Sequence, residues 1–393
     1  MGLYLIFCYV FVKLQRRRAK KYPVVINENY KPFISILIPC HNEENVIEDT
    51  VKNILRVDWE DYEIILIDDR SEDSTPEILK RLTEEYEKVN CLIRDKSAFP
   101  GKSAVLNDAM KLAKGEAILV FDADAKIDPD FIKKMVPKLE APDVGAVQSR
   151  KMIINAEQNF LTRCQYEEYA LDTHMQVSRD AVRGAVELRG NGELIKRRAL
   201  EDIGFWNNET ITDDLDMSTR MHIRGWDIRY CLEAVVYEEG VLTYGALIKQ
   251  RRRWVEGSIR RYLEYMWDIL LSKDMSFRVT ADLIIYITEF LLPFWVVSEI
   301  FIQAFRYVKG ADNTILSSMI IIGCMAVLFA GMLFYSLRKY TNYSFWEKIR
   351  SIFATTAYLI IFWTPVVLMM ILKIIFTEKT MDWGKTEHGV IAQ

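Results

Sequence analysis

The chain has 393 residues, 50% of them apolar and 27% charged, with a formal net charge of −4. That length accommodates a soluble domain of about 250 residues and something more, and the charge leaves no bulk electrostatic case for a nucleic-acid partner. Six cysteines (Cys8, Cys40, Cys91, Cys164, Cys231, Cys324) lie far apart without Cys-x-x-Cys spacing, which argues against a zinc site or a disulfide framework and fits a reducing compartment.

The opening "GLYLIFCYVFV" predicts an N-terminal membrane segment over residues 1–14, as a short or tilted span or an interfacial anchor. No basic stretch precedes it and no small-x-small site follows, so it does not read as a cleaved leader. Lys13, Arg16, Arg17, Arg18, Lys20 and Lys21 come directly after it. Positive residues stay on the cytoplasmic side, which places the large domain, residues 32–247, in the cytosol at the plasma membrane.

"FISILIPCHNEENVIEDTVKNIL" reads as a buried strand, a turn and an amphipathic helix with Val46, Ile47, Val51, Ile54 and Leu55 on one face. "YEIILIDDRSEDSTPEILKRL" repeats the arrangement, with Ser74 at the N-cap and Pro76 in the first turn. "GKSAVLNDAMKLAKGEAILVFDADA" adds another helix and strand. Such alternation predicts an α/β domain with a largely parallel sheet and ligands at the carboxyl ends of its strands. Each strand runs into a polar cluster: His41-Asn42-Glu43, Asp68-Asp69, then Asp122 and Asp124. One such cluster is as readily a solvated loop; three along one sheet edge are not.

Asp122 and Asp124, one residue apart at a strand end, can hold a hard divalent cation, Mg²⁺ or Mn²⁺. Such an ion bridges diphosphate oxygens and offsets charge on a leaving group. Lys102, at a helix start, is placed to meet the same phosphates. The chain has no Gly-x-Gly-x-x-Gly and no Walker loop, which leaves a nucleoside diphosphate bound through metal.

A helical stretch over 157–180 carries Cys164 and His174, both read as structural and as packing beneath an acceptor site. In "GNGELIKRRALEDIGFWNNETITDDLD", Gly190 and Gly192 permit close backbone approach to a ligand. Thr212, Asp213 and Asp214 begin a helix whose N-terminal dipole favours carboxylates. Basic interfacial helices over 248–275 follow, with Gln250, Arg253 and Trp254 among Lys249, Arg251, Arg252, Arg260 and Arg261. Anionic headgroups account for several of these arginines. They do not account for Trp254 directly after Arg253: a guanidinium neutralises phosphate and an indole face is a platform for a sugar ring.

Within 279–376, the runs 279–305, 315–337 and 351–376 are each long enough to cross a hydrocarbon core of ~30 Å. Asp282, Glu289 and Glu299 in the first are costly in lipid unless they face protein or water. Arg338, Lys339, Lys348 and Arg350 mark a second cytosolic loop, and Pro365 makes a re-entrant or interfacial helix the alternative to a third crossing.

Taken in order, these stretches resemble the membrane-integrated family-2 glycosyltransferases: cellulose, chitin, hyaluronan and poly-N-acetylglucosamine synthases and related β-glucan synthases. The likeness covers residues 33–270 and the tail 377–393. The family's first acidic motif falls on Asp69, its Asp-x-Asp on Asp122 and Asp124, and its Gln-x-x-Arg-Trp on Gln250 to Trp254. Its Thr-Glu-Asp stands here as Thr212-Asp213-Asp214, with Asp213 in place of the usual glutamate.

The resemblance implies a GT-A domain in which Asp214 is the general base, deprotonating an acceptor hydroxyl that attacks the anomeric carbon in line with inversion. It implies that Asp69 and the Pro39 to Glu43 loop hold uridine, that Lys102 holds the diphosphate, and that Asp124 holds the metal with Asp122 close by. Arg253 would stabilise the leaving UDP, and Trp254, with Gln250 and Gly192, would meet the acceptor. The tail "DWGKTEHG" resembles a gating segment with Trp383, Lys385 and Thr386 as lid residues, which requires a cytosolic tail.

The expected activity is processive transfer from a UDP-sugar, foremost UDP-glucose, to a β-linked polysaccharide that leaves through the enzyme's own helices. Glu289, Tyr286, Phe290, Phe294 and Trp295 are channel candidates that ordinary packing explains equally well. The alternative is transfer of one glucose to a lipid, because "TITDDLD" and "EEGVLTYGALIKQRRRWVEGSIRRYLEY" also resemble glucosyldiacylglycerol synthases. A non-catalytic receptor on the same scaffold is a third class, disfavoured by intact Asp214, Asp124 and Arg253.

Overall fold

The computed structural model describes residues 27, 29–309 and 315–377. The expected membrane segment 1–14 and the lid residues Trp383, Lys385 and Thr386 lie outside the described residues.

Strands and helices alternate through β1 (Ile34–Cys40), α1 (Ile47–Ile54), β2 (Tyr62–Asp68), α2 (Thr75–Glu85), β3 (Val89–Ile93), α3 (Lys102–Ala109) and β4 (Ala117–Val120). Every residue of β1, β2 and β4 is buried, as apolar runs covered on both faces require. β1 pairs in parallel with β2 and β4, and β2 with β3, so the three acidic clusters share one edge. α1 turns Ile47, Val51 and Ile54 into the core. α2 starts after Ser74 with Pro76 in its first turn, yet the Ser74 hydroxyl makes no capping bond. Asp73 Oδ1 instead accepts the Thr75 amide at 3.0 Å.

The second half comprises β5 (Lys126–Ile127), α4 (Phe131–Leu139), β6 (Val144–Ile153), α5 (Phe160–Val182), β7 (Glu193–Lys196), α6 (Arg197–Asp202), α7 (Asp213–Ile223) and β8 (Asp227–Glu238). β7 runs antiparallel to β4 and to β6, which extends the sheet to eight strands in the order β3-β2-β1-β4-β7-β6-β8-β5. Apolar layers cover both faces, one with Ile36, Leu66 and Phe131, the other with Leu37, Ile65 and Met217. The sheet is the mixed α/β arrangement expected of a GT-A domain.

The remaining helices are α8 (Tyr244–Leu271), α9 (Phe277–Val308), α10 (Ile315–Tyr340), α11 (Phe345–Tyr358) and α12 (Thr364–Phe376). A π-helical turn, Leu359–Trp363, joins the last two. Pro365 lacks the N–H that would continue an α-helical ladder, so the chain widens its turn just before it instead of ending. Among the described residues, Ile320–Tyr340 and Phe345–Phe376 are long and apolar enough to cross a bilayer.

α5 packs against the C-terminal helices: Cys164 packs with Tyr358 and Phe362, and the His174 ring lies 5.0 Å from that of Tyr335. Asp282, at the start of α9, is buried in protein, accepting the Ala185 amide at 2.7 Å and pairing with Arg179 at 3.3 Å. Tyr286 lies under the Arg179 guanidinium (4.3 Å) and Phe290 beside Tyr262, so both serve packing. Phe294 and Trp295 are exposed, Glu299 accepts from Gln303 within its own helix, and the Glu289 side chain lies outside the described residues.

The stretch 345–376 is bolted along the domain. Glu167 of α5 accepts from Ser351 (2.6 Å) and Thr355. Glu168 accepts from Tyr358 (2.9 Å) and Trp363 (3.1 Å). Lys373 pairs with Glu256 of α8 at 2.8 Å, and Arg260 donates to the Thr377 carbonyl at 3.2 Å. The outer face is apolar, with Trp346, Phe353, Ile361 and Phe376 between 62% and 80% exposed.

Candidate active site

Lys102 opens α3, and its ammonium reaches Asp122 Oδ1 (2.6 Å) and the Gly190 carbonyl (2.8 Å). The turn from Gly190 to Gly192 takes φ of +78° and +68° at its two glycines, conformations that a side chain would strain. At Gly190 an added Cβ would lie 3.3 Å from Asp214 Oδ2 and 3.8 Å from Lys102 Nζ. At Gly192 it would collide with Ser149 Oγ. The fold thus brings Lys102, Asp122, the glycine turn and Asp214 to one place.

Buried polar side chains hold the turn. Gln148 accepts the Arg189 amide (2.8 Å) and donates to the Asn191 carbonyl (3.0 Å). Asn191 accepts the Asp122 amide (3.2 Å) and donates to Glu238 (3.2 Å). Glu238 also pairs with Lys151 at 2.9 Å, which carries the network across β6 and β8.

Asp213 and Asp214 begin α7 with Thr212 at the N-cap position. Burial, then the neighbouring Asp213 carboxylate, pushes the Asp214 carboxyl up to about 6, against the opposing pull of the Leu215 amide, Lys102 and Arg189. Glu193 accepts the Gly190 amide at 2.6 Å. Burial, then Asp214 and Asp213, pushes its carboxyl up to about 8. Burial works against the Lys102 ammonium, but Asp122 and Asp213 hold its pKa above the ordinary lysine value. The arrangement offers a carboxylate that takes up a proton near neutral pH beside a fixed cation.

At the ends of β1 and β2, Asp69 is fully buried and receives Arg94 (2.6 Å), Arg70 (2.9 Å) and the Gly101 amide (3.3 Å). Pro39 is buried in β1, His41 Nδ1 lies 2.7 Å from the Asp69 carbonyl, and the Glu43 amide donates to Thr75 Oγ1 at 2.8 Å. These expected nucleotide residues form one patch, joined to Lys102 through Gly101. Asp124 is buried, and its Oδ2 receives a long bond from the Glu239 amide, 3.4 Å. Among the described residues no three His, Cys, Asp or Glu side chains converge as a metal site. Asp122 and Asp124 are of the chemistry that suits a hard cation, with Asp122 Oδ1 paired to Lys102 at 2.6 Å.

On α8, Gln250 accepts from Arg251 at 3.1 Å, and Trp254 lies 4.1 Å beneath the Arg251 guanidinium. Arg253 is partly exposed and makes no hydrogen bond or ion pair with the described residues. Headgroups do not explain Arg251 and Arg261, which are 1% and 2% exposed. Arg251 pairs with Glu168 at 2.7 Å and Arg261 with Glu187 at 2.9 Å. Lys249 and Arg252 are exposed, as the basic surface requires.

Gln148, Asn191, Glu193 and Glu187 did not stand out in the sequence. The usable signal for Glu193 and Glu187 was an acid inside an apolar run beside the glycine turn, in "AVELRGNGELI".

A family model described as glycosyltransferase like family 2 matches residues 32–257. The chain is 38% identical over 364 residues to beta-monoglucosyldiacylglycerol synthase of Trichormus variabilis, covering 91% of this chain and 76% of the relative. It is 31% identical over 245 residues to poly-beta-1,6-N-acetyl-D-glucosamine synthase of Staphylococcus epidermidis, covering 62% of this chain and 58% of the relative. In fold it is similar to a mannosyltransferase from Pyrobaculum calidifontis solved with GDP-Man and Mn²⁺, with a TM-score of 0.63 at 20% identity over 92% of this chain and 98% of that one. Sheet, site and relatives define a sugar-transferring enzyme on a GT-A scaffold. The chain belongs to glycosyltransferase family 2.

Proposed function

We propose that the protein transfers glucose from UDP-glucose to diacylglycerol, with inversion, at the cytoplasmic face of the plasma membrane. The observation that carries the reading is the reach of the likeness. Similarity to a glucosyldiacylglycerol synthase covers 91% of the chain, into the helices beyond the family region, whereas similarity to a polymer synthase covers 62%. A growing polysaccharide, the acceptor first expected, has less support.

In this reading the ionised Asp214 takes the proton of the acceptor hydroxyl as its oxygen attacks the anomeric carbon. The bond from that carbon to UDP breaks on the opposite face. Asp213 lies beside the base, and its charge is one cause of the raised Asp214 pKa, which suits a base working near neutral pH. Lys102 and Arg253 meet the diphosphate, while Asp69 and the Pro39 to Glu43 loop hold the uridine. Gln250 and Trp254 meet the acceptor, while the bare face of Gly192 is taken up by Ser149 and Val236, so that glycine shapes the turn. Asp124, with Asp122, would hold Mg²⁺ or Mn²⁺, which would offset the charge developing on the leaving diphosphate.

Membrane attachment in this reading uses α9 and α10, while 345–376 lies in the plane of the interface. Its polar face is taken by Glu167, Glu168 and Glu256, and its apolar face is free for acyl chains. UDP release by the purified enzyme, with UDP-sugars and either Mg²⁺ or Mn²⁺, tests the whole. Release that requires diacylglycerol and yields a small lipid-soluble product is expected. A long polymer formed without added lipid would overturn it.

A further inference from the structure

α8 lies between two helices of unlike surroundings. One stripe meets α7: Arg261 reaches the Leu215 carbonyl (3.3 Å), the Tyr265 hydroxyl donates to Asp216 (2.8 Å), and Ser272 donates to the Ile223 carbonyl (2.8 Å). The other side meets α12, where Val255 packs with Val366, Val367 and Met370.

Gly257 faces Thr212, the residue at the N-cap of α7. A Cβ there would fall 2.6 Å from Thr212 Oγ1 and 3.0 Å from Thr212 Cβ, with the threonine methyl nearer still. Gly257 sits inside a helix and has no positive φ, so the reason for glycine is space and not backbone conformation. Helix propensity alone favours alanine there. Thr212 is also held in an unusual way. Its hydroxyl is buried with no hydrogen-bond partner among the described residues, and it does not cap its helix. The Thr212 carbonyl accepts from the Asp216 amide (3.1 Å) and the Thr210 hydroxyl (3.3 Å), so the backbone is tied to α7 while the side chain is placed by packing against the bare face of Gly257. Two residues on is Asp214, whose Oδ1 accepts the Leu215 amide at 2.8 Å.

We propose that Gly257 is a positioning residue: the missing side chain lets the first turn of α7 seat against α8 and so sets where the Asp214 carboxylate stands. This rests on the reading of Asp214 as the base. Lys102 and Asp122 belong to other elements, so the donor side of the site does not share the contact.

Gly257→Ala is expected to lower kcat by about 10- to 100-fold, as misplacing a reacting group by an ångström does, with KM for the UDP-sugar and UDP affinity nearly unchanged. Thr212→Ala in the Gly257→Ala background removes the two nearest atoms, the methyl and Oγ1, leaves only the 3.0 Å contact with Cβ, and restores kcat towards the level of Thr212→Ala alone. Equal loss of donor affinity, or no rescue, overturns the proposal. Hydrogen exchange at the Leu215 amide needs neither turnover nor an acceptor. It is expected to quicken in Gly257→Ala and in Thr212→Ser, which drops the methyl while sparing α8. Unchanged exchange in Thr212→Ser overturns the seating even if Gly257→Ala fails to fold. A wild-type enzyme that transfers to no acceptor would defeat the base assignment and leave the exchange test standing.

Discussion

The Lys102 ammonium stands 2.6 Å from Asp122 and 2.8 Å from the Gly190 carbonyl, so one cation ties the end of the parallel half of the sheet to the turn that opens the antiparallel half. Lys102→Met removes the cation from among Asp122, Asp213 and Glu193. UDP affinity is expected to fall about tenfold or more, the weight of a charged hydrogen bond. Calorimetric titration with UDP reads it, and an unchanged Kd would take Lys102 out of the phosphate site.

Asp214→Asn keeps the shape of the base and loses its basicity. Turnover is expected to drop by about 10²–10⁴-fold while UDP binds as before. In the wild type the carboxylate must be ionised, so kcat rises with pH through about 6 and levels above it. A rate flat from acid to neutral pH would remove Asp214 as base.

Glu193 predicts a pH effect on stability. Its carboxyl titrates at about 8 in the fold against 4.5 in a model chain. Between those values the folded protein keeps a proton that the unfolded chain has released, so stability is lost as pH rises through the folded pKa. The slope is at most one proton, about 1.4 kcal/mol per pH unit. Glu193→Gln mimics the protonated acid and keeps an acceptor for the Gly190 amide, so its stability depends less on pH. Thermal melts at several pH values with parallel slopes in both proteins would contradict this.

Glu187 is fully buried among Arg179 (3.1 Å), Arg189 (3.0 Å) and Arg261 (2.9 Å). Three guanidinium groups hold its carboxyl well below the usual range despite burial. Glu187→Ala strands those charges and is expected to destabilise the fold by about 3–5 kcal/mol. A denaturant midpoint close to that of the wild type would show that the cluster relaxes into water.

Single cysteines at Ser344 and Thr377, flanking α11 and α12, are expected to react with a membrane-impermeant maleimide from the same side as a cysteine at Glu209 on the sheet domain. Labelling of the Thr377 position from the opposite side would make 345–376 a crossing.

The parallel half was legible because its signals are local. Apolar runs in β1, β2 and β4 end in acids, and parallel pairing alone then gathers His41, Asp69 and Asp122 on one edge. Gly190 and Gly192 were singled out for close approach of a ligand, whereas what the structure shows of them is a positive φ and, at Gly192, packing against Ser149. What escaped was pairing across long sequence separation. Arg251 and Arg261 read as surface charge because their partners, Glu168 and Glu187, come from elements about 80 residues earlier. Asp282 looked misplaced in an apolar run until Arg179 and the Ala185 amide came into view.

The acids that hold 345–376 set a limit on modularity. Glu167 is matched to Ser351 and Thr355, Glu168 to Tyr358 and Trp363, and Glu256 to Lys373. A chimera that grafts this catalytic domain onto a foreign anchor would keep the Arg251–Glu168 pair but strip Glu167, Glu168 and Glu256 of these partners. A catalytic fragment cut at Tyr340 would return those acids to water and uncover Leu161, Leu247 and Val255, which pack against Tyr358, Phe362 and Val366 in the whole chain.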